Sequence, residues 1–156
     1  MNQSGNRKVK LVEEGGQTVA DLLVKKNPFT SPHCNRGNCQ ICLFEGSKGL
    51  CQIRSITYSN TCLKCEERGI SFKYWGESSE SLYERSLTHL EEGSKGYKDS
   101  HIYAHILKYH KSDKINLQEN FKFEVVGRIN GAMKRQVEKW LLIKNSKAVL
   151  MNSKDM

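Results

Sequence analysis

Six cysteines carry the clearest chemical pattern in this sequence of 156 residues. Four of them, Cys34, Cys39, Cys42 and Cys51, follow the spacing C-x4-C-x2-C-x8-C. Such spacing lets one loop-rich segment close around a tetrahedral zinc ion through four thiolates. The segment from His33 to Cys51 has too few apolar residues to fold by burial alone, which also favours a bound metal.

The last two cysteines, Cys62 and Cys65, form a C-x2-C pair that needs partners of another type. His105 and His110 are separated by about one helical turn, so near a helix end both imidazoles can face the same thiolates. The sequence therefore predicts two zinc sites, one with four cysteines and one with two cysteines and two histidines.

Other readings of the same residues stay open. The pairs Cys39/Cys42 and Cys62/Cys65 have the spacing of a single four-cysteine zinc ribbon. His101, His105 and His110 could instead be ordinary polar helix positions, and Cys34 and Cys51 small buried side chains.

The charge of the chain indicates the class of partner. Twenty-five Lys and Arg residues against seventeen Asp and Glu give a formal charge of +8, and the isoelectric point is about 9.2. This balance favours a polyanion such as nucleic acid. Residues 1–8 lack the apolar run of a signal peptide, and no later stretch approaches membrane-spanning length. We therefore expect a soluble protein with an intracellular, nuclear location, DNA as its partner and no association with a membrane.

The elements that must position these residues follow from periodicity and capping. Strands are predicted at Ile53–Tyr58 and Ile70–Trp75 as a hairpin around the Cys62/Cys65 turn, with a third strand at Phe121–Val126. Ser81 and Glu84 form a capping box for a helix over 81–92 that Gly93 should end. Further helices are predicted over 100–110 and 132–143, the last with Met133, Val137, Trp140 and Leu141 as its buried face.

These elements predict an α/β fold, in the order β-β-α-α-β-α, with a small antiparallel sheet of three or more strands flanked by helices. Residues 1–52 are interpreted as an N-terminal extension with the zinc module, in which Thr18–Val24 could form a short helix or strand. Residues 53–156 are interpreted as the main domain.

The run from Tyr74 to Arg85, followed by His89, resembles the second motif and first helix of GIY-YIG nucleases, especially those of Penelope-like retroelements and related mobile elements. Shorter matches lie at residues 21–24, 27–29, 135–137 and 152–154. The resemblance implies a GIY-YIG nuclease-like domain with a cysteine-rich lead-in. It also implies a DNA endonuclease that uses Mg²⁺ or Mn²⁺ and serves a mobile element, with a reverse transcriptase or other domain as a possible neighbour.

The resemblance also implies roles for single residues. Tyr58, in Ile56-Thr57-Tyr58, matches the first tyrosine of the family, a candidate general base beside the attacking water, although the leading glycine is missing. Tyr74 matches the second tyrosine, which helps to position phosphate and water. Arg85 matches the arginine that steadies the scissile phosphate, and His89 lies one turn later on the same helix face.

The expected metal ligand is where the sequence departs from the family. Alignment of residues 135–137 and Asn145 places Lys139 where the family has its metal-binding glutamate. Glu138 can replace that carboxylate only if the helix rotates or shifts by one residue. The sequence therefore leaves two functions open, a metal-dependent endonuclease and a DNA-binding form of the same fold that does not cut.

Blander readings compete with these roles. Tyr58 and Tyr74 could be cross-strand aromatics, Arg85 a solvated partner of Glu84 or Glu92, and Glu138 an exposed helix position. A third function class, a zinc-held protein-interaction domain, explains the cysteines but not the tyrosines and the arginine.

Overall fold

The computed structural model describes residues 34–45, 49–111 and 114–152. These residues belong to one compact unit, so the described parts of both predicted domains lie within it. The segment predicted at Thr18–Val24 and the matches at 21–24, 27–29 and 153–154 lie outside the described residues.

A four-stranded sheet forms the centre of the unit. Its strands are β1 (Ile56–Cys62), β2 (Phe72–Ser78), β3 (Phe121–Arg128) and β4 (Val149–Leu150), in the spatial order β3-β1-β2-β4. β1 pairs antiparallel with β2 and β3, which confirms the predicted hairpin, although both of its strands start and end later than predicted.

The antiparallel pairing predicted for three strands is confirmed, but the sheet as a whole is mixed, because a fourth strand, β4, runs parallel to β2. A parallel pair needs a crossover connection. The last helix supplies it by carrying the chain from β3 at one edge of the sheet to β4 at the other. β4 has only two residues, too few for a periodic sequence signal.

The helices and turns lie between and around these strands. In chain order they are α1 (Gln40–Glu45), a 3-10 turn (Leu50–Gln52), α2 (Leu63–Glu66), α3 (Leu82–Ser94), α4 (His101–Tyr109), α5 (Leu117–Asn120) and α6 (Ala132–Asn145). α3 and α4 contact the face of the sheet that carries Tyr58 and Tyr74, and α6 contacts the opposite face through Thr57. No described helix is long and apolar enough to cross a membrane.

The start of α3 is as predicted and its end is not. Ser81 Oγ accepts a hydrogen bond from the Glu84 amide at 3.3 Å, and the Glu84 carboxylate accepts one from the Ser81 amide at 2.9 Å. This reciprocal pair is the predicted capping box. Gly93 does not end the helix, which continues to Ser94. Gly93 instead allows α4 to pack closely against α3, because a Cβ at Gly93 would lie 2.8 Å from Ile102 on α4.

The predicted buried face of α6 is also wrong. Met133, Val137, Trp140 and Leu141 are 78%, 54%, 56% and 44% exposed. The helix instead packs through polar side chains, with Arg135 buried and donating to Glu77 at 3.1 Å and to the Ile129 carbonyl at 3.2 Å. Helical periodicity identifies an apolar stripe but does not decide whether that stripe faces the sheet.

Candidate metal centres and candidate active site

The first cysteine cluster assembles where α1 meets the 3-10 turn. The sulfur atoms of Cys34, Cys39, Cys42 and Cys51 all lie within 4.8 Å of one another, and Cys42 Sγ is 3.8 Å from Cys51 Sγ. Tetrahedral zinc with Zn–S bonds of about 2.3 Å requires sulfur atoms about 3.8 Å apart. The cluster could therefore hold a metal ion, and its donors and spacing are consistent with zinc.

The second cluster joins the end of β1 to α2 and α4. Cys65 Sγ lies 3.4 Å from His105 Nε2 and 3.1 Å from His110 Nε2, and Cys62 Sγ lies 3.5 Å from His110 Nε2. All four side chains are buried, and their donor atoms lie within 4.8 Å of one another. This cluster too could hold a metal ion and is consistent with zinc, whose sulfur and nitrogen ligands would stand about 3.6 Å apart.

This geometry decides between the sequence alternatives for these eight residues. The cysteines of Cys39/Cys42 and of Cys62/Cys65 belong to different clusters, so the single four-cysteine site is wrong. His105 and His110 are not ordinary polar helix positions either, because both face buried thiols.

Burial and one hydrogen bond determine the protonation of the side chains in the clusters. Burial raises the pKa of Cys42 to about 11 and that of Cys65 to about 12, which keeps both thiols protonated at neutral pH. A hydrogen bond from the Arg36 backbone lowers the pKa of Cys34 to about 7. Burial lowers the pKa of His105 to about 4, so its ring is neutral and able to ligate. A metal ion that binds here must therefore displace thiol protons.

Four of the predicted catalytic residues meet near the first turn of α4, about one helical turn from the second cluster. The Tyr58 hydroxyl lies 2.7 Å from His89 Nε2 and accepts a hydrogen bond from Arg85 Nε at 3.2 Å. The Tyr74 ring centroid lies 6.3 Å from that of Tyr58 and 5.5 Å from that of His89. Two strands and α3 thus bring a tyrosine pair, a guanidinium and an imidazole together.

An open cleft of about 770 Å³ lies beside this group. Tyr74, Arg85 and His89 line one part of it, and its other lining residues include Glu92, Lys98, Asp99, His101, Lys139 and Asn152. The cleft is polar, and it presents one guanidinium and two ammonium groups. Such a surface can take an anionic ligand such as a phosphate.

Lys139 and Glu138 are adjacent on α6, but their side chains lie in different surroundings. Lys139 lines the cleft, whereas Glu138 Oε2 accepts a hydrogen bond of 2.6 Å from Thr57 Oγ1 on β1. Gly127 makes room for this carboxylate, since a Cβ at that position would lie 2.8 Å from Glu138 Oε1. Glu138 is therefore held away from the cleft.

At the position on α6 where the resemblance implies a ligand for catalytic Mg²⁺ or Mn²⁺, the cleft presents Lys139, which does not fit a metal ion. Mg²⁺ needs oxygen ligands, with at least one carboxylate from the protein, and α6 offers an ammonium group instead. Glu92 and Asp99 line the cleft, but among the described residues the two Cys and Cys/His clusters are the only groups of three or more close metal donors.

Asn145 is not brought to the cleft. It lines a separate pocket of about 460 Å³ together with Trp75, Glu138 and Leu141. Asn152 takes a place on the cleft instead, where its side chain accepts from the Trp75 amide at 2.8 Å and donates to the Trp75 carbonyl at 2.7 Å. The match at residues 152–154 was the sequence signal for this position.

His101 is a second cleft residue that the sequence did not single out. Its ring stacks on Tyr74 with centroids 3.7 Å apart and planes within 8°, and its Nε2 lies 3.0 Å from Asn60 Nδ2. The available signal was its spacing of one helical turn from His105. His101 thus holds the Tyr74 ring in place.

The protonation states in the cleft are set mainly by burial. Burial raises the pKa of Tyr58 well above its ordinary value, with a further rise from Tyr74 and an opposing effect of Arg85. Burial, and next the charge of Arg85, lower the pKa of His89 to about 3. At neutral pH Tyr58 therefore keeps its proton and His89 is uncharged.

Gly76 on β2 lets the Tyr58 ring lie across the hairpin. A Cβ at Gly76 would be 2.1 Å from Tyr58 Cζ, closer than any real contact. We expect Gly76→Ala to displace this ring and lower the free energy of unfolding by roughly 1–3 kcal/mol or more, as overpacked cores do. Thermal denaturation measures the change. Gly37→Ala is the matched control, because a Cβ there meets nothing within 4 Å; equal stability of both variants would contradict the packing argument.

A scan against protein-family models, a search of curated proteins and a search of solved structures each find no match to this chain. The function is therefore inferred from the chemistry of the two clusters and of the cleft.

Proposed function

We propose that this chain is an endonuclease domain of the GIY-YIG type, whose cleft binds the backbone of DNA and acts on its phosphodiester bonds in the service of a mobile element. The observation that carries the proposal is the meeting of Tyr58, Tyr74, Arg85 and His89 beside one polar cleft. These residues come from two strands and a helix, and a purely structural role would not require a guanidinium and an imidazole on one tyrosine hydroxyl.

Each residue has a task that its surroundings suit. Arg85 is half-buried and fixed by Tyr58, so its guanidinium can face a phosphate and stabilise the negative charge that develops there. His89 is neutral and can accept a proton, while Tyr58 lies between it and Arg85. The stacked Tyr74 can position phosphate and water at the mouth of the cleft.

We also propose that both metal clusters hold zinc, which would connect α1 to the 3-10 turn and α4 to the β1–β2 hairpin. The second zinc would hold α4 in the place where His101 stacks on Tyr74. The role of both ions is structural, because four protein ligands leave no open position for a substrate.

Binding of DNA without cutting is the second candidate, and Lys139 favours it. An ammonium group on the cleft can bind a phosphate but repels a metal ion. In this candidate the chain retains the nuclease architecture and the DNA contact, while hydrolysis is lost.

Two measurements on the unaltered chain test these proposals. Affinity for duplex DNA, followed by fluorescence anisotropy, should fall steeply as salt increases, because phosphate contacts release counterions. Absence of DNA binding at low salt would contradict both candidates and favour a protein-interaction domain. Plasmid nicking by the unaltered chain in the presence of Mg²⁺ or Mn²⁺ supports the endonuclease. DNA binding without nicking supports the second candidate.

Arg85→Ala should weaken cleavage far more than binding. The guanidinium acts mainly on charge that develops at one phosphate, so we expect a loss of about 10²–10³-fold in the nicking rate and a much smaller loss of DNA affinity. The comparison is made in the Lys139→Glu background by nicking kinetics and anisotropy. Arg54→Ala is the control, because Arg54 is exposed and pairs at 2.8 Å with Glu84, which lies on α3 next to Arg85. Equal losses of cleavage and binding would remove Arg85 from this role.

A further inference from the structure

His89 has two ring nitrogens in different surroundings. The side chain is buried, with Nε2 on the Tyr58 hydroxyl at 2.7 Å. Its Nδ1 is also buried and has no hydrogen-bond partner among the described residues. The nearest acidic group is Glu92 on the same helix, with Oε2 at 3.7 Å from Nδ1.

The hydrogen bonds of Tyr58 indicate where the proton of His89 lies. A guanidinium only donates, so the Tyr58 oxygen accepts from Arg85 Nε at 3.2 Å. The hydroxyl's own proton can go to the Tyr74 hydroxyl, which also interacts with Tyr58, or to His89 Nε2 at 2.7 Å. The Glu92 carboxylate beside Nδ1 disfavours a bare Nδ1 and so favours the second arrangement, in which Nε2 carries no hydrogen. Because His89 is neutral, its single ring proton must then be on Nδ1.

A proton on Nδ1 requires an acceptor, because an unpaired N–H in a buried position is unfavourable. Glu92 lies three residues after His89, and its side chain is 35% exposed at the cleft. A gap of 3.7 Å is too long for a hydrogen bond. A small rotation of this partly exposed side chain closes it, and a bridging water would also span it.

We propose that Glu92 is a positioning residue, which holds His89 in the tautomer protonated at Nδ1 and so makes Nε2 the acceptor for the Tyr58 proton. The carboxylate also offsets Arg85 when the ring becomes charged, since Arg85 opposes an imidazolium and Glu92 favours it. The other titratable rings that face His89 are those of Tyr58, Tyr74 and, at 4.6 Å, His101. Burial raises the pKa of both tyrosines and lowers that of His101, so all three are uncharged at neutral pH.

The catalytic consequence rests on the proposed function. There, once bound DNA displaces the buried Tyr58 side chain enough for a water to reach its oxygen, the attacking water gives a proton to that oxygen while Tyr58 gives its own proton to His89 Nε2. The water oxygen bonds to phosphorus, and the bond to the leaving oxygen breaks with its electron pair on that oxygen. One proton has then moved from water to the His89–Glu92 pair, and Tyr58 is unchanged.

The tautomer can be measured without DNA, by ¹⁵N NMR of the histidine rings in the zinc-loaded chain. We expect His89 to be protonated at Nδ1, and we expect Glu92→Leu to shift it towards the Nε2-protonated form. Glu91→Gln is the matched control, because Glu91 is exposed and pairs with Lys95 on the same helix. A His89 protonated at Nε2 in the unaltered chain, or one that Glu92→Leu leaves unchanged, would overturn the proposal.

Further readouts separate this inference from simple stability and from the proposed function. If Glu92→Leu does not fold, Glu92→Gln is used instead. The glutamine amide oxygen can still accept a hydrogen bond from His89 Nδ1, but it carries no charge. Glu92→Gln should therefore keep the tautomer and lower the pKa of His89 further. An unchanged pKa would remove the electrostatic role of Glu92. In the Lys139→Glu background, Glu92→Gln should shift the pH profile of nicking rather than DNA affinity. If the unaltered chain fails to bind DNA while the tautomer is as stated, the proposed function fails and the assignment of Glu92 stands.

Discussion

Lys139→Glu is expected to raise magnesium-dependent nicking of plasmid DNA, and to create it where the unaltered chain only binds DNA, as in the second candidate function. The substitution replaces an ammonium group on the cleft with a carboxylate, beside Arg85 and Tyr74. It thereby removes a repulsion of roughly 4 kcal/mol per pair of unit charges at 4 Å and an effective dielectric constant of 20, and supplies a hard oxygen ligand. Conversion of supercoiled to open circular plasmid, with and without Mg²⁺, measures the result.

Glu138 provides the control for this experiment within the same helix. Its carboxylate accepts a hydrogen bond from Thr57 on β1 and does not line the cleft, so Glu138→Gln should leave nicking by the Lys139→Glu variant unchanged. Its effect should appear in stability, because the hydrogen bond loses a charged acceptor. If the unaltered chain nicks DNA and Glu138→Gln abolishes that activity, the carboxylate turns to the cleft and the assignment of Lys139 is wrong.

Removal of the metal ions is expected to abolish the cooperative unfolding transition of the chain. Apparent binding free energies of structural zinc are about 10–16 kcal/mol in zinc-finger peptides, as large as the total stability of about 5–15 kcal/mol typical of a domain. The first cluster also joins α1 to the 3-10 turn, and the second joins α4 to the β1–β2 hairpin. Thermal unfolding followed by circular dichroism, before and after treatment with a strong chelator, tests this expectation.

The number of ions tests the two clusters separately. Elemental analysis should find two zinc ions in the folded chain and one after Cys39→Ala or His105→Ala, because each substitution affects one cluster. His101→Ala is the matched control on α4, since His101 is one turn from His105 but stacks on Tyr74. One zinc ion per folded unaltered chain would contradict the two-site arrangement.

The sequence alone predicted the features that depend on local spacing. The sequence grouped the eight residues of the two clusters that could hold a metal ion, because zinc ligands come as closely spaced pairs or sets of cysteines and histidines along the chain. The capping box of α3 was found for the same reason, since both of its hydrogen bonds lie within four residues. Three strands and three of the helices were predicted from periodicity, with shifted ends.

The tertiary structure alone decided which side of each element faces its neighbours. The stripe of Met133, Val137 and Trp140 has the period of a buried helix face, yet it is exposed, because Arg135 pairs with Glu77 and turns the other side of α6 to the sheet. That rotation carries Lys139 to the cleft and Glu138 to Thr57. Sequence periodicity specifies angles around a helix axis relative to other residues of that helix. The absolute orientation depends on partners such as Glu77 and Thr57, which are more than fifty residues away along the chain.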